Sequence, residues 1–423
     1  MDDFHTIFKI FIRFAHRFKN PSDMIHIILF FISMVVSMAG ANAQFHYQDS
    51  RNPEILRHTG RNVPSRQIIV IPQVNGYNVY KADLHNHSIF SDGNVLPDYR
   101  VKEAWLDGID ILAMTDHLEY RPHEETLAEY MSQYIEGSGK TVKNNRIGGS
   151  KPADKDGIQV DLNSSYNRAM KWAPDFGITI IRGTEITRDG RTVGHYNALF
   201  TKDNNTIYDP DPVKAISNAK AQGALVMHNH PGWRKTSIDY TEVDKAVYGA
   251  GLIDGVEVMN EGEFYPGIID RALEKGIFMA GCSDIHSSTA MDYRLGGNMR
   301  PMTFILAKDK SEESLKEALK AGRTIAYGFN TLCGPEELLK DFFKAGVTVE
   351  VIREKDNSGK TVLSLINNTS LSYQVALDGE NPEYLAPMSS IIIKQKNEDR
   401  VLVLKVVNMF CSRDRHPVVR LAY

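Results

Sequence analysis

The sequence predicts an α/β chain in which a βα barrel is followed by a small, immunoglobulin-like β-sandwich. Three observations predict it. Apolar runs of strand length alternate with helical patterns from residue 80 to residue 322. Near Lys344 this rhythm gives way to short alternating strands with no helical period. His, Asp and Glu gather at the ends of the earlier strands, and strand ends are where a βα barrel builds its sites.

The elements follow in chain order. An apolar run, Ile25 to Met38, is preceded by Lys9, Arg13, Arg17 and Lys19 and followed by AGANAQ. A basic region, an apolar core and small residues in that order predict a signal peptide over residues 1–43, cleaved after Ala43. The run is short of the about 20 residues a membrane span needs. No cysteine follows it to carry a lipid, and Met24 is a second candidate start. The mature chain is therefore expected in the periplasm or outside the cell, with no stable membrane anchor. Residues 44–77 read as a leader with one short strand at Gln67–Ile71.

Strands are then expected at 80–85, 110–115, 178–187, 195–200, 224–230, 255–260, 277–284 and 302–307. Helices are expected between them at 98–108, 163–177, 212–223, 241–251, 268–276 and 311–322. Strand, helix, strand at this density implies βαβ units, and seven or eight repeats favour a barrel over an open sheet. The expected barrel domain spans 78–330 and the sandwich 340–423.

Residues 120–162 break the rhythm with a stretch rich in Gly, Lys, Asn and Asp, read as an insertion. It contains GSGKT at 137–141, but Tyr134 stands where a phosphate loop needs its first glycine.

Composition narrows the function classes. With 42% hydrophobic and 24% charged residues the chain is an ordinary globular one, and a net charge of −4 without a basic stripe gives no nucleic-acid footprint. Three cysteines, Cys282, Cys333 and Cys411, are too few for a disulfide framework, although one pair could bridge.

The chemistry sits at the strand ends. The first strand ends in Asp83-Leu84-His85-Asn86-His87, followed by Ser91-Asp92-Gly93, and the second in Thr115-Asp116-His117. The third carries Glu185, the fourth opens with Gly194-His195, the fifth ends in His228-Asn229-His230-Pro231, and the seventh in Ser283-Asp284-Ile285-His286. Residues i and i+2 of an extended segment point to one side, so His85 with His87, and Asp284 with His286, can each grip one ion. Imidazole nitrogen mixed with carboxylate oxygen suits Zn, Mn or Fe. Glu185, central in the order, is the best candidate to bridge two cations. His228, His123, His46, His58 and His416 read as ordinary histidines.

HxHS…SDG, TDH, GxE, GHYN, HNHPG and SDIH in this order resemble the polymerase-and-histidinol-phosphatase (PHP) superfamily of metal-dependent phosphoesterases, over roughly residues 78–330. The resemblance implies a distorted (β/α)7 TIM-like barrel holding two to three divalent metal ions. It implies His85, His87, Glu185 and Asp284 for a first ion, Glu185, His195 and His230 for a second, and Asp92, His117 and His286 for a third. Asp92 stands where many members have histidine and others have aspartate, which leaves occupancy of the third position open.

Cations at such a rim activate water and neutralise phosphoryl oxygens. Arg234 and Arg294 are then candidates to hold a non-bridging oxygen, and Asp116 to orient a ligand or donate a proton to the leaving group. The expected reaction is hydrolysis of a small phosphodiester or phosphomonoester. Two other classes compete. Amidohydrolase barrels use a metal-bridging lysine, and no strand-end lysine occurs here; a non-catalytic metal-binding module is the third.

Overall fold

The structure, a computed structural model, describes residues 47–49, 52–58, 65–123, 161–377, 379–396 and 399–423. The expected signal peptide with its cleavage after Ala43, and the GSGKT segment, lie outside the described residues. The chain divides between Ser65 and Arg66 into two units. In the first, Tyr47–Asp49 and Leu56–His58 pair antiparallel. Among the described residues no helix is long and apolar enough to cross a membrane.

The second unit is built on a curled sheet. Its strands are β1 (Asn78–Asp83), β2 (Ile111–Met114), β3 (Thr179–Thr187), β4 (His195–Leu199) and β5 (Leu225–Asn229). They continue as β6 (Gly255–Asn260), β7 (Phe278–Cys282), β8 (Met302–Ala307), β9 (Thr324–Gly328) and β10 (Thr331–Cys333). Six of the connecting helices coincide with the expected ones: α1 (Pro97–Leu106), α2 (Ser164–Phe176), α3 (Pro212–Ala221), α4 (Glu242–Gly249), α5 (Pro266–Lys275) and, after the short α6 (Thr289–Asp292), α7 (Glu312–Lys320). Their ends carry the expected signals. Thr241 and Asp244 form a reciprocal capping box on α4, and Ser311 accepts from the Ser314 N–H at the start of α7.

The strand order is β7-β6-β5-β4-β3-β2-β1-β8-β9-β10. Four neighbour pairs are parallel as the βα rhythm requires, but β4 runs antiparallel to both β3 and β5. The reason is length. Only residues 188–194 join β3 to β4, and a parallel crossover needs a dozen or more. The reversal brings the first residue of β4, His195, to the rim where its neighbours end, opposite Thr187 and Asn229.

The sheet closes without a full ladder. The Gly281 N–H donates to Thr303 Oγ1 (3.1 Å), whose hydroxyl donates back to the Gly281 carbonyl (2.9 Å). A Cβ at Gly281 would lie 2.9 Å from the Met302 and Tyr327 carbonyl oxygens, so glycine alone permits this approach. At the rim, Asp284 N–H donates to the His85 carbonyl (2.9 Å) and His87 N–H to the Ile285 carbonyl (3.1 Å). The HxH segment and the SDIH segment are thereby zipped together.

The C-terminal region begins with a helix, not with a strand: α8 (Glu336–Gly346) runs through position 340, where the domain boundary was expected. Its apolar face carries Leu339, Phe342 and Phe343. Strands β11 (Val347–Arg353), β12 (Thr361–Asn367), β13 (Tyr373–Ala376), β14 (Glu383–Leu385), β15 (Ser390–Gln395), β16 (Val401–Val406), β17 (Met409–Phe410) and β18 (Val418–Ala422) follow. They form two antiparallel sheets, β11-β12-β15 and β14-β13-β16-β18, while β17 joins β10 in the barrel sheet.

A single apolar cluster runs from the barrel strands through α8 into both sheets, from Phe304 and Tyr327 to Leu365 and Val419. Phe304 stacks on Phe342 at 5.7 Å, and Phe343 meets Tyr373 edge-on at 4.9 Å. Cys282, Cys333 and Cys411 are all free and buried.

Gln67–Ile71 is not a strand. The segment is nevertheless part of the second unit. The Gln67 N–H donates to the Leu106 carbonyl (2.8 Å), and Val70 N–H to Ser370 Oγ (2.8 Å). Ile69 is buried between.

Candidate metal centre

Nine polar side chains from six strand ends converge on one rim. Glu185 lies at the centre. Its Oε1 is 3.1 Å from His195 Nδ1 and 3.6 Å from both His85 Nε2 and His230 Nε2. Its Oε2 is 2.6 Å from His117 Nδ1 and 3.6 Å from His87 Nε2. Asp284 Oδ1 stands 3.1 Å from His85 Nε2 and 3.0 Å from His87 Nε2. On the outer side Asp92 reaches His286 Nε2 at 3.3 Å and His117 Nε2 at 3.4 Å.

Three groups have ligand atoms close enough to share a cation: His85–His87–Asp284, His85–Glu185–His230, and His87–Asp92–His117–His286. All nine sequence-predicted metal residues are thus brought together. His195 joins through Glu185.

Burial disfavours every charge in this cluster. It is overcome for Glu185, where His117, His195 and His85 hold the carboxyl well below its usual range. Asp284 and Asp92 are likewise held low against their burial by facing histidines. Among the imidazoles, His117 is pushed up to about 10 by Glu185 and Asp92 despite burial. His85 is raised by Asp284, Glu257 and Glu185 against the same penalty. Burial, with His286 and His117 adding repulsion, takes His87 down to about 4.

In the centre, three buried carboxylate oxygens, Asp92 Oδ1, Glu185 Oε2 and Asp284 Oδ1, face only imidazole nitrogens and have no other hydrogen-bond partner. Buried anionic oxygens left this way are costly unless a cation meets them. The residues present fit divalent ions.

A surrounding shell holds these side chains, and sequence reading missed most of it. Glu257, fully buried on β6, sets one oxygen 2.8 Å from His85 Nδ1 and accepts the His230 N–H with the other (2.6 Å). That is the carboxylate–histidine pairing that fixes a ligand's tautomer. Arg100, on α1, donates to the carbonyls of His87 (2.7 Å), Ile285 (3.1 Å), His286 (2.7 Å) and Ser287 (2.6 Å). It staples the first and seventh strand ends together. Arg300 does similar work beneath, paired with Asp83, which also accepts from the Ser283 hydroxyl at 2.5 Å. A buried arginine three residues before a glutamate, Arg100 and Glu103, was the one available signal, and it reads equally as a surface helix pair.

The three predicted catalytic residues fare differently. Asp116 is engaged by neighbouring donors: its carboxylate accepts from Ser88 N–H (2.7 Å), Ser88 Oγ (2.8 Å), Ser91 Oγ (2.9 Å) and the Ser165 hydroxyl. It anchors the 88–91 turn, and Ser91 in turn faces His87 Nδ1 at 3.3 Å, so its influence on a ligand is indirect. Arg294 pairs with Asp107 (3.7 Å) instead of reaching into the site. Arg234 is exposed and stacks on Trp233 (4.2 Å), whose ring lies beside His195 and His230.

His228 keeps its ordinary reading. It packs against Tyr196 and faces Tyr248 and Asp244, away from the ligands, and burial takes its pKa down to about 3. His416 faces the Met409 carbonyl, and His46 lies outside the described residues.

Comparison with known proteins agrees with this geometry. The PHP domain family matches residues 83–265. A two-domain protein from Bacteroides vulgatus, containing a predicted PHP-like metal-dependent phosphoesterase, is 31% identical, covers 86% of this chain and 100% of its own, and superposes with a TM-score of 0.71. A protein from Bifidobacterium adolescentis described as a metal-dependent phosphoesterase is 16% identical over 58% of this chain and 98% of its own, with a TM-score of 0.36. An amidohydrolase from Chromobacterium violaceum is 16% identical over 50% of this chain and 89% of its own, with a TM-score of 0.33. No curated protein matches the chain. With its nine convergent side chains and a relative alike over both domains, the chain belongs to the PHP family of metal-dependent phosphoesterase-like proteins.

Proposed function

We propose that this protein hydrolyses a small phosphate ester, monoester or diester, with two to three ions of Zn, Mn or Fe. The observation that carries the reading is the set of buried carboxylate oxygens on Asp92, Glu185 and Asp284 that face only imidazole nitrogens, six imidazoles surrounding them. His85, His87, Glu185 and Asp284 would hold one ion, Glu185, His195 and His230 a second, and Asp92, His117 and His286 a third. When bound, such ions supply Lewis acidity toward phosphoryl oxygens and lower the pKa of water at the site.

The chain's own part is positioning. Glu257 and Arg100 fix the imidazoles and the segments that bear them, and Arg234 is held at the edge by its stack on Trp233, available to an exposed phosphoryl oxygen. Purified without chelator, the protein should carry at least two equivalents of metal and turn over bis(4-nitrophenyl) phosphate or 4-nitrophenyl phosphate. Under half an equivalent after metal loading, or no turnover with full sites, rejects the reading.

The proposal includes export. The basic, apolar and small-residue order over residues 1–43 supports a mature chain that starts at Gln44 and meets charged esters outside the inner membrane. N-terminal sequencing from the native host should read Gln44; a start at Met1 or Met24 in a cytosolic fraction removes it.

A further inference from the structure

We propose that Trp233 is the wall against which the organic group of the ester lies, so that the site selects phosphate esters of planar aromatic groups. The inference rests on the phosphate-ester reading and names the substrate class for it.

Trp233 belongs to the turn that follows the ligand His230. Its N–H donates to the His230 carbonyl (2.9 Å), and the Lys235 N–H donates to the Gly232 carbonyl (3.0 Å), so two overlapping turns pin it. His230 and Arg234 both take left-handed backbone, φ 25° and 56°, which non-glycine residues adopt at a cost. Neighbouring backbone makes room for the indole: a Cβ at Gly190 would fall 2.7 Å from the ring.

The seat is specific to the centre. The Trp233 ring lies 5.1 Å from the His195 ring and 5.3 Å from that of His230, the two imidazoles that flank Glu185. Trp233 is only half-buried, and the exposed guanidinium of Arg234 lies 4.2 Å over its ring. Tyr120, 40% exposed, stands edge-on to His117 at 5.7 Å. Aromatic surface therefore borders the cluster beside His195 and His230 and again beside His117. An ester whose phosphoryl group sits beside His195 and His230 can lay its organic group against the Trp233 ring. Aromatic side chains reward planar π systems beyond simple burial, and do so with little regard to which ring is offered. Alkyl esters offer no π face to that ring.

The test uses the metal-loaded protein and two matched pairs of probes. The hydrolysis-resistant methylenephosphonate analogue of adenosine 5′-monophosphate is compared with that of ribose 5-phosphate, and phenylphosphonate with methylphosphonate, by calorimetric titration. Within each pair the phosphonate is the same and only the aromatic group differs. The aromatic member should bind at least about tenfold tighter. Preference in the first pair alone assigns a nucleotide-like substrate, and preference in both assigns aryl groups in general.

Trp233→Leu should bring the ratio below about twofold, and Trp233→Phe should retain most of it, which a merely structural wall would not do. Equal affinities in the wild-type protein, or a ratio that survives Trp233→Leu, overturns the inference even if that variant proves unstable. Equal affinities alongside turnover of bis(4-nitrophenyl) phosphate sink this inference alone. Discrimination without any turnover sinks the hydrolytic reading and leaves the aromatic wall standing.

Discussion

Replacing Glu185 by glutamine should lower phosphate-ester turnover at least about a hundredfold while the fold persists. Glutamine has nearly the shape of glutamate, so the β3 backbone and its pairing to β4 have no reason to move. What changes is charge. One oxygen of Glu185 faces His195, His85 and His230, the other faces His117 and His87, so this carboxylate meets a histidine of every group in the centre. Removing its charge would leave the proposed neighbouring cations with less to offset their mutual repulsion. It also points an amide N–H₂ at imidazole nitrogens. A hundredfold loss corresponds to about 2.7 kcal/mol of barrier, which a central electrostatic group in a buried site can supply. The measurement is kcat on a fixed aryl phosphate together with metal content and thermal midpoint. Wild-type turnover at normal metal content would show that Glu185 is not the shared ligand.

Removing residues 341–423 should prevent the barrel from folding, contrary to what the change of pattern near Lys344 suggests. The cut falls inside α8 and removes Phe342 and Phe343, which pack on barrel and sandwich residues respectively. It also removes β17, so the edge strand β10 loses its partner at Leu332 and Cys333. Burying one such large side chain is worth about 1.5–3 kcal/mol, and whole domains are stable by about 5–15 kcal/mol. Several losses of that size exhaust the margin. The exposed face of β8 and β9, with Met302, Phe304 and Tyr327, would be an aggregation surface. Soluble expression, a cooperative thermal transition and metal content of the truncated chain decide the matter. A soluble, metal-loaded fragment with a single transition would show that the sandwich is dispensable.

Much of this protein was legible in its sequence because the signals are local. Strand-length apolar runs and helical periods placed most of the barrel's strands and helices, since burial of one face leaves a period in the chain. The nine candidate ligands were legible for a related reason: a polar residue at the end of a buried strand is costly, and nine of them at six strand ends point to cations.

Tertiary structure alone decided the rest. The direction of β4 depended on a connection too short to cross over, so His195 arrives at the rim from a reversed strand. Closure between β7 and the strands beside it hangs on Gly281 and Thr303, which meet across the fold. Asp116 and Arg294 stand beside the right motifs, yet Ser88, Ser91 and Ser165 in one case and Asp107 in the other claim their charges. Glu257 and Arg100 looked like ordinary strand and helix residues, and their roles exist only once distant segments are packed against them. Residue spacing determined which groups this protein owns for chemistry, because spacing follows the period of its own strand. Which of them touch was decided by the fold, because contacts between distant segments leave no period in the chain.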